Sequence, residues 1–200
     1  KKYDAVDIVF GPKLSYMAVG KESLDYERNI RKLIRRVATD FSVFDQYACA
    51  SPHVVFVEKG GKISTEEFCS RLAEQMQKAL VRIPKNPVDA GMANKIHRIR
   101  FNHGFLDKKL WTSEGTDWTI LFEQGEVKPV LPNYSRIVTV HEVDDLFSSL
   151  AVVNESIQSI GLALSGERRE DYANQAVKKG AVRFPDIGKM TYFDNPWDGH

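Results

Sequence analysis

Cys49 is the side chain in this sequence best suited to covalent chemistry. It stands in Val43-Phe44-Asp45-Gln46-Tyr47-Ala48-Cys49-Ala50-Ser51-Pro52, just ahead of the apolar run Val54-Val55-Phe56-Val57. A cysteine attacks a carbonyl only as thiolate, so it needs an approachable position and a group that lowers its pKa or takes its proton. The alanines on either side leave space for a substrate carbonyl. Main-chain N–H groups in such a turn can face the oxyanion that forms, a stabilisation that is a large part of acyl-group catalysis. Asp45 and Gln46 lie upstream where they can orient the thiol or the loop. From spacing alone, a single cysteine ahead of a strand is more often structural than catalytic.

The remaining chemistry-bearing residues are less organised. Cys69 shares a helical face with Phe68 and Leu72 and reads as a small buried hydrophobe. Histidines occur at positions 53, 97, 103, 141 and 200, so a base for a Cys–His hydrolase is available by composition, but none sits in a protease or amidase signature. The sequence has no GxSxG, Walker loop, HExxH or GxGxxG. Two distant cysteines make neither a disulfide framework nor a zinc pattern, so no metal is expected. Lys95, His97, Arg98, Arg100, His103, Lys108 and Lys109 form a basic concentration. It reads as a solvated helix face before it reads as a phosphate site.

Alternating periods define the elements that must hold these groups. Tyr16–Val19, His53–Glu58, Trp118–Phe122, Arg136–Val140 and Ile157–Leu164 read as strands, with further short strands at Ala5–Phe10 and Ala181–Pro185. Tyr26, Ile30, Leu33, Ile34 and Val37 fall at helical spacing, and Phe41, Val43 and Phe44 are expected to be buried on the approach to Cys49. Ser64-Thr65-Glu66-Glu67 is a capping box for a helix with Phe68, Leu72, Met76, Ala79, Leu80 and Ile83 inward. Pro87 opens another, with Val88, Met92, Ile96 and Ile99 inward. Further helices are expected over 144–153 and 167–178, the second ended by Gly180. Strands separated by helices imply crossovers and a largely parallel sheet covered on both faces, an α/β fold in one domain over residues 1–200.

The 200 residues are 42% hydrophobic and carry 28 basic and 27 acidic side chains. That balance supplies no field to recruit nucleic acid or an anionic membrane. With no apolar window near a membrane span and no secretion signal, a cytoplasmic setting is expected. The chain opens in a strand and closes after Trp197-Asp198-Gly199-His200, as a domain cut from something longer would.

In order along the chain, Phe10-Gly11-Pro12-Lys13-Leu14-Ser15, Asp45 to Pro52, Pro132-Asn133-Tyr134-Ser135-Arg136-Ile137-Val138, Gln158-Ser159-Ile160-Gly161, and Gly180 to Pro185 through Trp197-Asp198-Gly199 resemble the acyl-CoA reductase family typified by the fatty acyl reductase of bacterial luminescence (LuxC-like). That family is a branch of the aldehyde dehydrogenase superfamily. The resemblance implies a three-layer α/β/α catalytic domain with a mostly parallel sheet. It implies that Cys49 takes an activated acyl group, from an acyl-CoA or an acyl-protein donor, as a thioester that NADPH reduces to an aldehyde. It further implies that the dinucleotide fold and the side-chain oxyanion donor come from residues outside this chain, leaving the fragment inactive in turnover. Glu126 is its one weak candidate for holding the nicotinamide ribose. Partners implied are an acyl-activating or acyl-transferring protein and a second copy of the chain. Val9 falls where hydrolytic relatives carry the glutamate that activates water, and an apolar residue there suits a reductase that must not waste its acyl group. Without the resemblance, two readings stay open: a thiol acyltransferase or hydrolase that uses no nicotinamide, and a non-catalytic assembly domain with a buried Cys49.

Overall fold

A computed structural model describes residues 13–192. The expected strand at Ala5–Phe10, Val9 and the closing Trp197-Asp198-Gly199 lie outside them. Six strands form one sheet: β1 (Leu14–Val19), β2 (Pro52–Glu58), β3 (Leu110–Thr112), β4 (Thr119–Glu123), β5 (Ile137–Val143) and β6 (Ile157–Ala163), in the order β3-β4-β5-β2-β1-β6. Every neighbouring pair is parallel except β3 with β4. The expected short strand after Gly180 is reduced to two bridges, Ser159 with Arg183 and Leu162 with Asp186.

The central strands β1 and β2 are buried along almost their whole length because both faces of the sheet are covered. Met17, Val19, Val55 and Val57 point into one core with helices α1 (Glu27–Ser42) and α2 (Thr65–Arg82). Tyr16, Ala18, Val54 and Phe56 alternate into a second core under α4 (Gly166–Val177) and a short 3-10 helix, Leu146–Val152. The result is a three-layer α/β/α fold.

The local rules that start these elements operate largely as expected. Ile30, Leu33, Ile34, Val37, Ala38 and Phe41 are the buried stripe of α1, each large member contributing about 1.5–3 kcal/mol of burial. Ser64 Oγ accepts the Glu67 N–H at 3.1 Å to cap α2. Gly180 follows α4 with φ of 109°, which a side chain resists.

Several expectations are corrected. The helix after Pro87 is α3 (Ala90–Phe105), and Pro87 precedes it, because the Asp89 carboxylate accepts the Met92 N–H at 2.7 Å and fixes the start there. Of the expected stripe, Ile96 is buried against Leu121 of β4 and Ile137 of β5, while Val88, Met92 and Ile99 pack against that cluster only partly buried. Residues 146–152 are too short a connection for an α-helix and close as 3-10 turns, Ser149 Oγ donating back to the Leu146 carbonyl. β3 carried no recognisable pattern. Phe44 is 55% exposed and Val43 half-buried, because the backbone turns left-handed at Phe44 and carries its ring outward; Phe41 is buried as expected.

Candidate active site

Cys49 lies in the turn between a 3-10 segment, Val43–Gln46, and β2, and its side chain is exposed. Cys49 is thus not the buried residue expected in the assembly-domain reading. Since β1, β2 and β5 are parallel, their N-terminal ends share one edge of the sheet, and Cys49 sits at that edge.

Seven hydrogen bonds brace the turn. Ser15, at the start of β1, donates its hydroxyl to the Cys49 carbonyl at 2.8 Å. The Ser51 N–H donates to the Ala48 carbonyl at 2.9 Å, closing the turn. Gln46 Nε2 donates to the Pro52 and Ile137 carbonyls at 3.0 and 3.2 Å, so the residue flagged as an orienting group anchors the turn to β2 and β5. Asp45 accepts from Arg136 and from Asn86. Among the described residues, the N–H groups of Cys49 and Ala50 meet no backbone carbonyl.

Aromatic rings pack at the same end of the sheet. Tyr47 is exposed and stacks on Tyr134, ring centroids 5.0 Å apart and planes within 7°. The His53 ring meets Tyr134 edge-on at 5.4 Å, and Lys95 Nζ lies 5.7 Å from the Tyr134 centroid and 3.4 Å from the Asn133 carbonyl. His53 is buried and its Nδ1 has no partner. Burial, reinforced by the charge of Lys95, pulls its pKa down to about 4, so it is neutral at pH 7. Among the described residues no histidine hydrogen-bonds the Cys49 sulfur: His103 and His141 bond backbone carbonyls. Among the described residues nothing therefore favours a Cys–His hydrolase.

The other candidates lie elsewhere. Glu126 is exposed just beyond the C-terminal end of β4, at the opposite edge of the sheet from Cys49. Cys69 is fully buried, and burial pushes its thiol well above the ordinary range. The basic concentration is dispersed. Arg100 donates to Thr119 and the Gly115 and Trp118 carbonyls, while Lys108 pairs with Glu123 and Lys109 with Glu66. His97 and Arg98 face solvent, and Lys95 alone reaches the Cys49 edge. Sequence reasoning passed over Ser15, His53 and the Tyr134–Arg136 run as site residues. Their signal was that Ser15 and Tyr134-Ser135-Arg136 fall inside the stretches that carry the family resemblance.

The described residues do not fit a dinucleotide by themselves. Helices α1, α2 and α4 begin at the edge away from Cys49, and α3, which begins near Asn86, already has Asp89 on its first N–H groups where a phosphate would sit. Among the described residues no cluster of His, Cys, Asp and Glu could hold a metal ion, and no helix is long and apolar enough to cross a membrane.

Comparison with known proteins agrees with this architecture. No match was found among curated proteins. Solved structures with the same fold include an NAD-dependent aldehyde dehydrogenase from Burkholderia multivorans (TM-score 0.64, 12% identity, covering 90% of this chain and 36% of that one). Others are the NADP-dependent glyceraldehyde-3-phosphate dehydrogenase from Bacillus halodurans C-125 complexed with NADP (0.63, 11%, 88% and 38%) and an NAD-dependent benzaldehyde dehydrogenase from Corynebacterium glutamicum (0.62, 13%, 91% and 40%). The chain thus spans well under half the length of these structures, and the likeness establishes the fold. The profile of the acyl-CoA reductase (LuxC) family matches residues 1–200. With its whole length matched and its sheet that of the aldehyde dehydrogenases, the chain belongs to the LuxC acyl-CoA reductase family.

Proposed function

We propose that this chain is the cysteine-bearing catalytic domain of an NADPH-dependent reductase that converts an activated fatty acyl group to an aldehyde through a thioester on Cys49. The observation that carries the reading is the exposed sulfur on a braced turn where the Cys49 and Ala50 N–H groups meet no backbone carbonyl, in a chain of this family. The Cys49 thiolate attacks the carbonyl carbon of an acyl thioester. The new S–C bond forms as the bond to the coenzyme A sulfur breaks, and the Cys49 and Ala50 N–H groups face the oxygen that becomes negative in between. Ser15 holds the Cys49 carbonyl, and in this reading it thereby orients the Ala50 N–H of the same peptide plane. When bound, NADPH would supply the hydride that takes the place of sulfur on the acyl carbon, so that the S–C bond breaks, the aldehyde leaves and Cys49 returns as thiolate. Because the described residues make no cradle for it, the reading assigns its binding mainly to sequence outside this chain; an acyl-transferring partner and self-association through this domain belong to the same reading.

The test is incubation with a long-chain acyl-CoA and intact-mass spectrometry. An adduct of one acyl group that disappears in Cys49→Ala supports the reading. An adduct that persists in Cys49→Ala, or none in a folded protein, refutes it.

A further inference from the structure

The backbone ahead of Cys49 is bent in a way that L-residues resist. Phe44, Asp45 and Gln46 all take positive φ, 54°, 48° and 66°. This is the left-handed region where Cβ crowds the carbonyl, and three in succession persist only where the surroundings over-determine them. A second such run, Tyr134, Ser135 and Arg136, has φ of 58°, 56° and 61°. The two runs lock together. The Ser135 N–H donates to the Asp45 carbonyl at 2.8 Å, and Arg136 Nε donates to Asp45 Oδ1 at 2.6 Å. The other carboxylate oxygen takes both the N–H and the Nδ2 of Asn86, at 3.1 and 3.0 Å.

Arg136 is 0% exposed and Asp45 5%. Arg136 Nη2 donates to the Ile83 carbonyl at 2.9 Å, while Nη1 is buried with no partner. A buried ion pair is a poor source of stability, because the desolvation of both charges offsets their attraction and apolar residues of similar volume hold a fold as well or better. An unpaired buried donor worsens that balance. What the pair supplies is direction. A planar guanidinium with Nε on the carboxylate and Nη2 on a third segment permits one placement of Asp45, which is four residues before the nucleophile in a chain too tightly turned to absorb a shift.

We infer that Arg136 is a positioning residue for Cys49: acting through Asp45, it holds the left-handed bend that sets the sulfur and the turn amides against an incoming carbonyl. The inference rests on the reading of Cys49 as an acyl acceptor and adds to it the group that aims it.

The experiment compares two reagents at one sulfur. Iodoacetamide alkylates a thiolate without any oxyanion. p-Nitrophenyl acetate requires one: sulfur attacks the acetyl carbon, the bond to p-nitrophenolate breaks, and the thiol proton passes to solvent. Neither reagent depends on coenzyme A recognition, so failure of the acyl-CoA reading and failure of this inference are distinguishable. In the Asp45→Asn, Arg136→Met double variant, which buries no lone charge, we expect an unchanged fold by circular dichroism, alkylation within about threefold of wild type, and acetylation slower by about tenfold or more. Arg136→Lys, with the charge but not the fork, should recover only part of the loss. A folded double variant whose acetylation and alkylation rates keep the wild-type ratio overturns the inference, as does a wild-type Cys49 that alkylates but is not acetylated. If the double variant fails to fold, Asn86→Ala decides by the same ratio, since it removes one bond to Asp45 from an exposed side chain: a fall supports the inference and an unchanged ratio overturns it.

Discussion

Asp40 gives the sharpest quantitative prediction. It is on α1, 1% exposed, and its Oδ2 accepts the Gly188 N–H at 2.6 Å, tying the segment after Arg183 to the helix. Burial raises its pKa from 3.8 to about 7, against the lowering effect of the Gly188 and Met190 N–H groups and of Arg36. The native state therefore holds a proton that the unfolded chain has released. A carboxyl shifted upward contributes stability that is fully present below the unfolded pKa and lost as pH rises through the folded one. Taking those two pKa values, the loss between pH 5 and pH 8 is about 3 kcal/mol. Asp40→Asn keeps an oxygen for the Gly188 N–H and cannot ionise, so the loss should vanish. His53 works the opposite way over part of this range, so the quantity to follow is the difference between variant and wild type. Urea unfolding at pH 5, 6, 7 and 8 should show that difference moving in favour of Asp40→Asn by about 3 kcal/mol as pH rises. A difference constant across pH, or one moving in favour of wild type, refutes the reasoning.

Three other outcomes are expected. His53, lowered to about 4, contributes stability present above its unfolded pKa and lost as pH falls toward 4; His53→Phe should gain about 2 kcal/mol on wild type between pH 7 and pH 5 in urea titrations. Native protein should take a single iodoacetamide label, at Cys49, with Cys69 labelled only after unfolding; peptide mass mapping that finds both in native protein contradicts the burial of Cys69. Gly188→Ala should cost about 1–3 kcal/mol in urea midpoint, because φ is 96° and a Cβ would stand 2.7 Å from Arg36 Cγ; a neutral result would show that this segment is not held as described.

The sequence by itself determined the layered α/β architecture and the one candidate nucleophile. Helical stripes such as Ile30, Leu33, Ile34 and Val37, the apolar runs at 16–19 and 54–57, and the Ser64 cap are local patterns, and each element forms where its pattern lies because burying that pattern is what stabilises it. Cys49 was legible for the same reason, its small neighbours and following strand being contiguous. The surroundings of Cys49 were decided only by the tertiary structure. Arg136 meets Asp45 across 91 positions and Ser15 meets the Cys49 carbonyl across 34, encounters that exist because strand order places the starts of β1, β2 and β5 at one edge. The outward turn of Phe44, the stack of Tyr47 on Tyr134 and the distance of Glu126 from the sulfur follow from that same order. Periodicity reports which face of an element is buried, and it carries no record of which loops will share an edge.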